Sequence, residues 1–330
     1  MKTNLKPALL VLALSTSAMA AGPDYKLVDT IKIGGAAKWD YICMDSDAQR
    51  LYVTHGTQTE VIDTQTDKVI GTIADTQGVH GVAIAKELGI GFTTNGTTNT
   101  VGVFDLKTLK VTNSIKVGNK PDAIVYIPGT QKLVSFNGKS NNVSIIDAKT
   151  MNVAATVAIP GVPEFSVPGA DGNVYFNLED LGQIASINMS TYKLNKSVSL
   201  KPCQEPSGLA IDDRQRLYSV CANNLMVITS TDGKVLAQVK IGSAPDGVSF
   251  MDGFAFSANG GDGTLTAVAE VDGKFQPVAT IPTQIGARTV AADPATHRLY
   301  LPTADLSPSK NGAKRQGMPD TFRVLVLQKQ

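Results

Sequence analysis

The chain repeats itself about every 41 residues, and no other feature constrains its fold as strongly. The segments are 30–70, 71–112, 113–154, 155–195, 196–236, 237–278 and 279 to the end. A short apolar stretch follows a Gly or Pro turn in the pattern (GVAIA, DAIVYI, GLAID, GVSFM). A second comes next (LYVTHG, GIGFTTNG, KLVSFNG, RLYSVCA), then a third that ends near an acid (EVIDTQT, VGVFDLKT, VSIIDAKT), then a fourth (KVIGTI, KVTNSIKV, NVAATVAI, KVLAQVKI). Four strands per repeat at a period of 40–45 residues is the signature of a β-propeller. Helical periodicity is absent. The 30 glycines and 16 prolines are scattered as turns between strands, and 42% hydrophobic residues supply a core that a disordered chain lacks.

The ends of the chain predict how the ring closes. The last repeat supplies three strands (RTVAAD, RLYLPT, FRVLVLQK), while the early segment KLVDTIKI matches the fourth strand of the other repeats. Residues 26–33 are therefore expected to complete the seventh blade, which removes open sheet edges that invite aggregation. The expectation is an all-β, seven-bladed propeller of four-stranded blades over residues 21–330, its last blade closed by the N-terminal strand.

LYVTHG with EVIDTQT, GIGFTTNG with VGVFDLKT, and KLVSFNG with VSIIDAKT resemble the YVTN-type repeats of the YncE-like secreted propellers, over essentially all of the expected mature chain. In the first repeat, His55 stands where the eponymous motif has Asn. The resemblance implies the propeller fold, and a role in nucleic-acid binding has been suggested for such proteins.

Residues 1–20 read as a secretory signal peptide: Lys2 and Lys6, an apolar run from Ala8 to Leu14, and Ala18-Met19-Ala20 as a cleavage site. The expected product is periplasmic or secreted, without a membrane span, and begins near Ala21. The whole chain carries 30 basic and 29 acidic residues, net +1; removing Lys2 and Lys6 leaves 28 against 29, net −1. That balance argues against nucleic acid or an anionic membrane as partner.

In a propeller the innermost strand of each blade starts at the mouth of the central channel, so the residues heading these strands form a ring. In register they are Asp40, His80, Asp122, Glu164, Ser207, Asp246 and Arg288. Four carboxylates this close disfavour one another's charged forms, and call for basic partners, hydrogen bonds, protonation or a bound cation. Arg288, Lys38 and Lys120 offer partial compensation. His55, at the turn between the second and third strands, is expected on the same face. Imidazole and carboxylate are zinc, iron, copper or manganese ligands, so His55, His80, Asp40, Asp122 and Glu164 form the candidate set for one divalent metal ion. Lys38, Trp39, Asp246 and Arg288 are the candidate ligand-binding residues beside it. A plainer reading stands next to this one: Asp122 and Asp246 in Pro-Asp turns cap their own backbone, and the mouth holds water.

Trp39, the only tryptophan, either stacks on a ligand at the rim or packs between blades. Cys203 precedes the first strand of blade five and Cys221 ends its second, so antiparallel pairing places them at one end. A Cys203–Cys221 disulfide is expected, with a soft metal site including Glu205 as the alternative. Cys43 reads as a small buried hydrophobe. His297 belongs to a turn on the opposite face. In blade seven, Ala304 to Asp320 departs furthest from the repeat and carries Lys310, Lys314 and Arg315 over the top face, as a basic flap or a solvated loop. Blade four has Glu179 and Asp180 at the corresponding turn.

Nucleophile elbows, zinc-protease motifs, phosphate loops and Cys-x-x-Cys pairs are missing from the sequence. A single tryptophan argues against a quinone-dependent dehydrogenase. The expected function is non-enzymatic binding at the channel mouth, of a divalent metal, a small ligand or a cell-envelope protein. The alternatives are a lactonase-like metal-dependent hydrolase, with metal-polarised ester cleavage, and a nucleic-acid-binding YncE-like protein.

Overall fold

A computed structural model describes residues 22–308 and 315–330. The expected leader at 1–20, with Lys310 and Lys314, lies outside the described residues. Seven antiparallel sheets run around one axis, strands a to d from the axis outward. The seventh sheet is composite. Ala291–Asp293, Arg298–Thr303 and Arg323–Lys329 are joined on the outside by Tyr25–Lys32, Tyr25 opposite Lys329 and Lys32 opposite Arg323. The expected closure by the N-terminal strand is formed. Blade four departs slightly from the four-strand pattern, since its outer strand is two short pieces, Lys193–Leu194 and Val198–Ser199, both paired with Gln183–Asn188. Among the described residues no helix is long and apolar enough to cross a membrane.

The core is divided among the blade interfaces. Strands b and c are covered on both faces by neighbouring blades, so Leu51 and Val53 face blade seven while Tyr52 between them faces blade two. Strands buried on both sides read as continuous apolar runs rather than as an alternation. Each interface has its own cluster; between blades three and four, for example, Phe136 and Phe176 pack with tilted rings, centroids 5.0 Å apart.

Two motif positions of the repeat belong to this architecture. The acid closing strand c caps the following turn: Oδ1 of Asp63, Asp105 and Asp147 each accepts backbone N–H groups two and three residues on. Asn188 does the same in blade four. The asparagine ending strand b ties that strand to strand c, Asn137 donating to Asn142 and Ser144, Asn259 to Thr264 and Thr266. All these groups are side-chain bonds that hold hairpins in register.

Candidate functional site

Strand a carries the ring, and a recurrent irregularity aims it. In blades two to six the a–b ladder pairs at the first residue of strand a, then shifts register before resuming: Val79 to Val82, Pro121 to Ile124, Pro163 to Ser166, Pro206 to Leu209, Pro245 to Val248. His80, Asp122, Glu164, Ser207 and Asp246 all sit in the skipped step. A bulge releases a residue from the ladder and re-aims its side chain, which is how five blades deliver one side chain each to the channel mouth. Hydroxyl and amide groups of the preceding blade take the freed ring carbonyls: Thr94 that of Asp122, Asn177 that of Ser207, Ser207 that of Asp246, Thr289 that of Asp40.

The ring splits into two charge groups. On one side His80 Nδ1 lies 2.5 Å from Asp40 Oδ2 and 3.5 Å from Asp122 Oδ1, with Lys120 Nζ 3.5 Å from the other Asp122 oxygen. On the other side Arg288 donates from Nε to Asp246 at 2.7 Å and from Nη2 to the Trp39 carbonyl, and stands 3.9 Å from Asp40. The side chains of Asp122 and Asp246 thus turn outward to other blades. The self-capping expected of the Pro-Asp turns is not what they do.

Acids outnumber bases here, and the titration of the ring reflects it. Burial, then the charges of Asp122, Glu179, Asp246 and Asp40, pushes the Glu164 carboxyl up to about 9. Burial and Asp40 raise Asp122 to about 6 against the pull of His80 and Lys120. Asp246 is raised by burial and by Asp40, in spite of Arg288. Burial alone would lower His80, but the Asp40 hydrogen bond and the charges of Asp122 and Asp40 raise it. Glu164 is accordingly a neutral acid at pH 7.

Beneath the ring the channel narrows. Tyr41 of blade one and Phe165 of blade four meet across the axis, ring centroids 4.4 Å apart. A cavity of about 350 Å³ continues along strand-a side chains, including Cys43, whose half-buried thiol is pushed up to about 12 by burial. Cys43 thus lines the channel rather than filling a closed core.

The candidate metal set divides. Asp40, His80 and Asp122 come together, with one donor atom from each within 4.8 Å of the others. Glu164 is close enough to feel both carboxylates. His55 is elsewhere. It occupies blade one's version of the motif asparagine and is 5% exposed. Its Nδ1 lies 2.9 Å from Glu60 and its Nε2 2.5 Å from the Ala36 carbonyl, so neither ring nitrogen is left for a metal. Glu60 also accepts from Gln58 and Thr72, and these bonds with His55 hold its carboxyl below the ordinary range although burial works the other way. The expectation that His55 joins His80 on one ion is corrected here. The signal was in the register, because every other residue at this position is structural.

Trp39 packs. It is 8% exposed, stacked on Phe322 at 5.6 Å with Arg288 over its ring at 5.3 Å, and Phe322 in turn stacks on His55 at 4.5 Å. The Cys203–Cys221 disulfide is formed, with a Cα–Cα distance of 5.4 Å. His297 sits in its turn, half exposed, 2.7 Å from Asp252. The residues that sequence reasoning did not single out are Tyr41 and Phe165, whose meeting across the axis has no periodic signal, and Glu60.

These features define a class: an all-β, seven-bladed propeller with an acid-rich channel mouth. No protein-family model matches the chain, and no curated protein matches it. Solved structures do. The WD40 repeats of RRP9 superpose with a TM-score of 0.77 at 7% identity, over 93% of this chain and 99% of that one. U3-55K gives 0.77 at 7%, over 92% and 99%. The hydrazine synthase of Kuenenia stuttgartiensis gives 0.69 at 17%, over 83% and 94%. At such identities the likeness is one of fold, and function has to be argued from the site.

Proposed function

We propose that this protein is a binding propeller of the YVTN-repeat kind that takes a divalent cation at its channel mouth on Asp40, His80 and Asp122, with Glu164 beside them as a protonated carboxyl that gives up its proton to join the ion. The observation that carries the reading is the convergence of three donor atoms from three consecutive blades within 4.8 Å. The 3.5 Å between His80 Nδ1 and Asp122 Oδ1 suits two ligands on one ion, since bonds of about 2.1 Å at a tetrahedral angle separate their ends by about 3.4 Å. The 2.5 Å Asp40–His80 contact is a hydrogen bond, and must give up its proton and open by about 1 Å to admit the ion. One imidazole and carboxylates without thiolate favour Zn²⁺ or Mn²⁺ over Cu⁺. The disulfide agrees with an oxidising compartment such as the cell envelope.

Hydrolysis by a general base without a metal, unlike the metal-dependent hydrolase expected from sequence, is the second reading. It is favoured by His80 Nε2, which has no hydrogen-bond partner among the described residues while Nδ1 is held by Asp40, the arrangement of a general base. Isothermal titration with Zn²⁺ and Mn²⁺, with elemental analysis of protein purified without chelator, tests the first reading. One ion per chain is expected, lost in His80→Ala and Asp122→Asn and kept in His55→Ala. Uptake unchanged in Asp122→Asn, or no uptake at all, sinks it. Ester turnover that survives a chelator moves the argument to the second.

A further inference from the structure

Beside the acid ring, on the same face, lies a site of opposite character. A cavity of about 590 Å³ opens between the entry loops of blades six, seven and one and the blade-seven insertion. Its walls are apolar, formed by Trp39, Ile285, Leu306 and a series of glycine and alanine backbones. Ile285 is 43% exposed, a large hydrophobe facing solvent within it. Lys38, Arg288 and Arg315 are the only charged groups among its described lining residues, and no carboxylate lines it. Neither Lys38 nor Arg315 makes an ion pair with a described residue, whereas Arg288 is fixed from behind by Asp246 and the Trp39 carbonyl.

The cavity exists because of the insertion. Blades one to six join strands b and c through at most four residues, but blade seven uses residues 304–322. The stem of that segment is ordered: Leu306 bridges Gly317, Ser307 N donates to Gln316 O, Met318 N to Asp305 O, and Asp320 N to Gly35 O. It is laid against residues 35–37 so closely that a Cβ at Gly317 would stand 2.5 Å from Ala37. Gly260 opens the opposite wall, where a Cβ would stand 2.8 Å from Arg288 Cβ. The small side chains preserve a hollow that larger ones would fill.

We infer that this cavity is a binding site for a small organic anion with a flat apolar body, its acid group held by Lys38, Arg288 and Arg315 and its body against Ile285, Leu306 and the edge of Trp39. The volume falls in the range of small-molecule sites, about 300–1,000 Å³, and apolar walls with a few convergent polar groups are their usual make-up. Lys38 and Arg315 have no counter-carboxylate among the described residues and select for negative charge, and the Arg288 guanidinium, held by Asp246 over Trp39, is pre-positioned beside them. The inference goes beyond the cation reading and does not rest on it, since Asp40, His80 and Asp122 do not line the cavity.

The sole tryptophan makes the test specific. The probe is 8-anilinonaphthalene-1-sulfonate, an aromatic anion that accepts energy from tryptophan, with neutral N-phenyl-1-naphthylamine as its uncharged counterpart. The anionic probe is expected to bind one per chain and quench Trp39 emission, the neutral one at least tenfold more weakly. Lys38→Glu/Arg315→Glu should weaken the anion at least tenfold and leave the neutral probe unchanged, while Ile285→Asp should weaken both. All three positions are at the surface, so circular dichroism should show unaltered folding. His80→Ala should bind the anionic probe as wild type does, which separates this site from the cation. Equal affinity for the two probes, binding without Trp39 quenching, or a charge-reversed variant within twofold of wild type would overturn the assignment.

Discussion

Glu164→Gln tests the ring directly, because the amide is nearly isosteric with the protonated carboxyl the structure calls for. An unfolded glutamate releases its proton near 4.5, and in the ring Glu164 keeps it to about 9. Between these values folding takes up a proton, so stability falls as pH rises, by about 1.4 kcal/mol per unit. From pH 6 to pH 8 the metal-free protein should therefore lose about 2.7 kcal/mol through this one group. With an unfolding entropy of about 2.1 cal/mol/K per residue over the 330 residues, the loss is a fall in Tm of about 4 °C. Asp122, raised to about 6, spends most of its contribution below this window. His80 is raised as well, so its stabilisation is likewise lost with rising pH, but it is present in both proteins and cancels. Scanning calorimetry at pH 6 and pH 8 with chelator, wild type against Glu164→Gln, isolates the difference. The variant should show a pH dependence smaller by about 4 °C. Equal slopes in the two proteins would refute the buried, neutral Glu164 and with it the mutual repulsion of the ring acids.

Three further outcomes follow from particular contacts. Lys120→Ala should tighten cation binding, because Lys120 competes for Asp122 from 3.5 Å; a weaker affinity by titration would mean that Lys120 positions the ligand instead. His55→Ala should destabilise the fold by about 3 kcal/mol in chemical denaturation, as it leaves the buried Glu60 with only Gln58 and Thr72 as partners, whereas His80→Ala should cost less and act on the cation; the reverse pattern would undo the division between them. Reducing the Cys203–Cys221 bridge or replacing both cysteines with Ala removes the constraint on a loop with sequence separation 18, worth about 3 kcal/mol by loop entropy, or about 5 °C in Tm; an unchanged Tm would place the stability of blade five elsewhere.

Much of this molecule follows from periodicity. Every blade meets the same demand, two buried faces on strands b and c and a capped turn after them, so the same residue types recur at the same register. Strand count, closure by the N-terminal strand and the seven ring positions could be read without coordinates for that reason. The disulfide could be read too, since antiparallel pairing alone brings Cys203 beside Cys221. Tertiary structure decided what has no counterpart in the repeat. Ala36, Glu60 and Phe322, the neighbours of His55, come from separate loops and strands of blades one and seven, and they make a structural residue of what the sequence offered as a ligand. Tyr41 and Phe165 meet across an axis, and the cavity by Trp39 arises where an insertion is laid on a distant loop. Periodic patterning encodes what each strand buries against its own kind; it carries no record of which side chains meet across the closed ring, because those contacts are set by geometry between residues far apart in the chain.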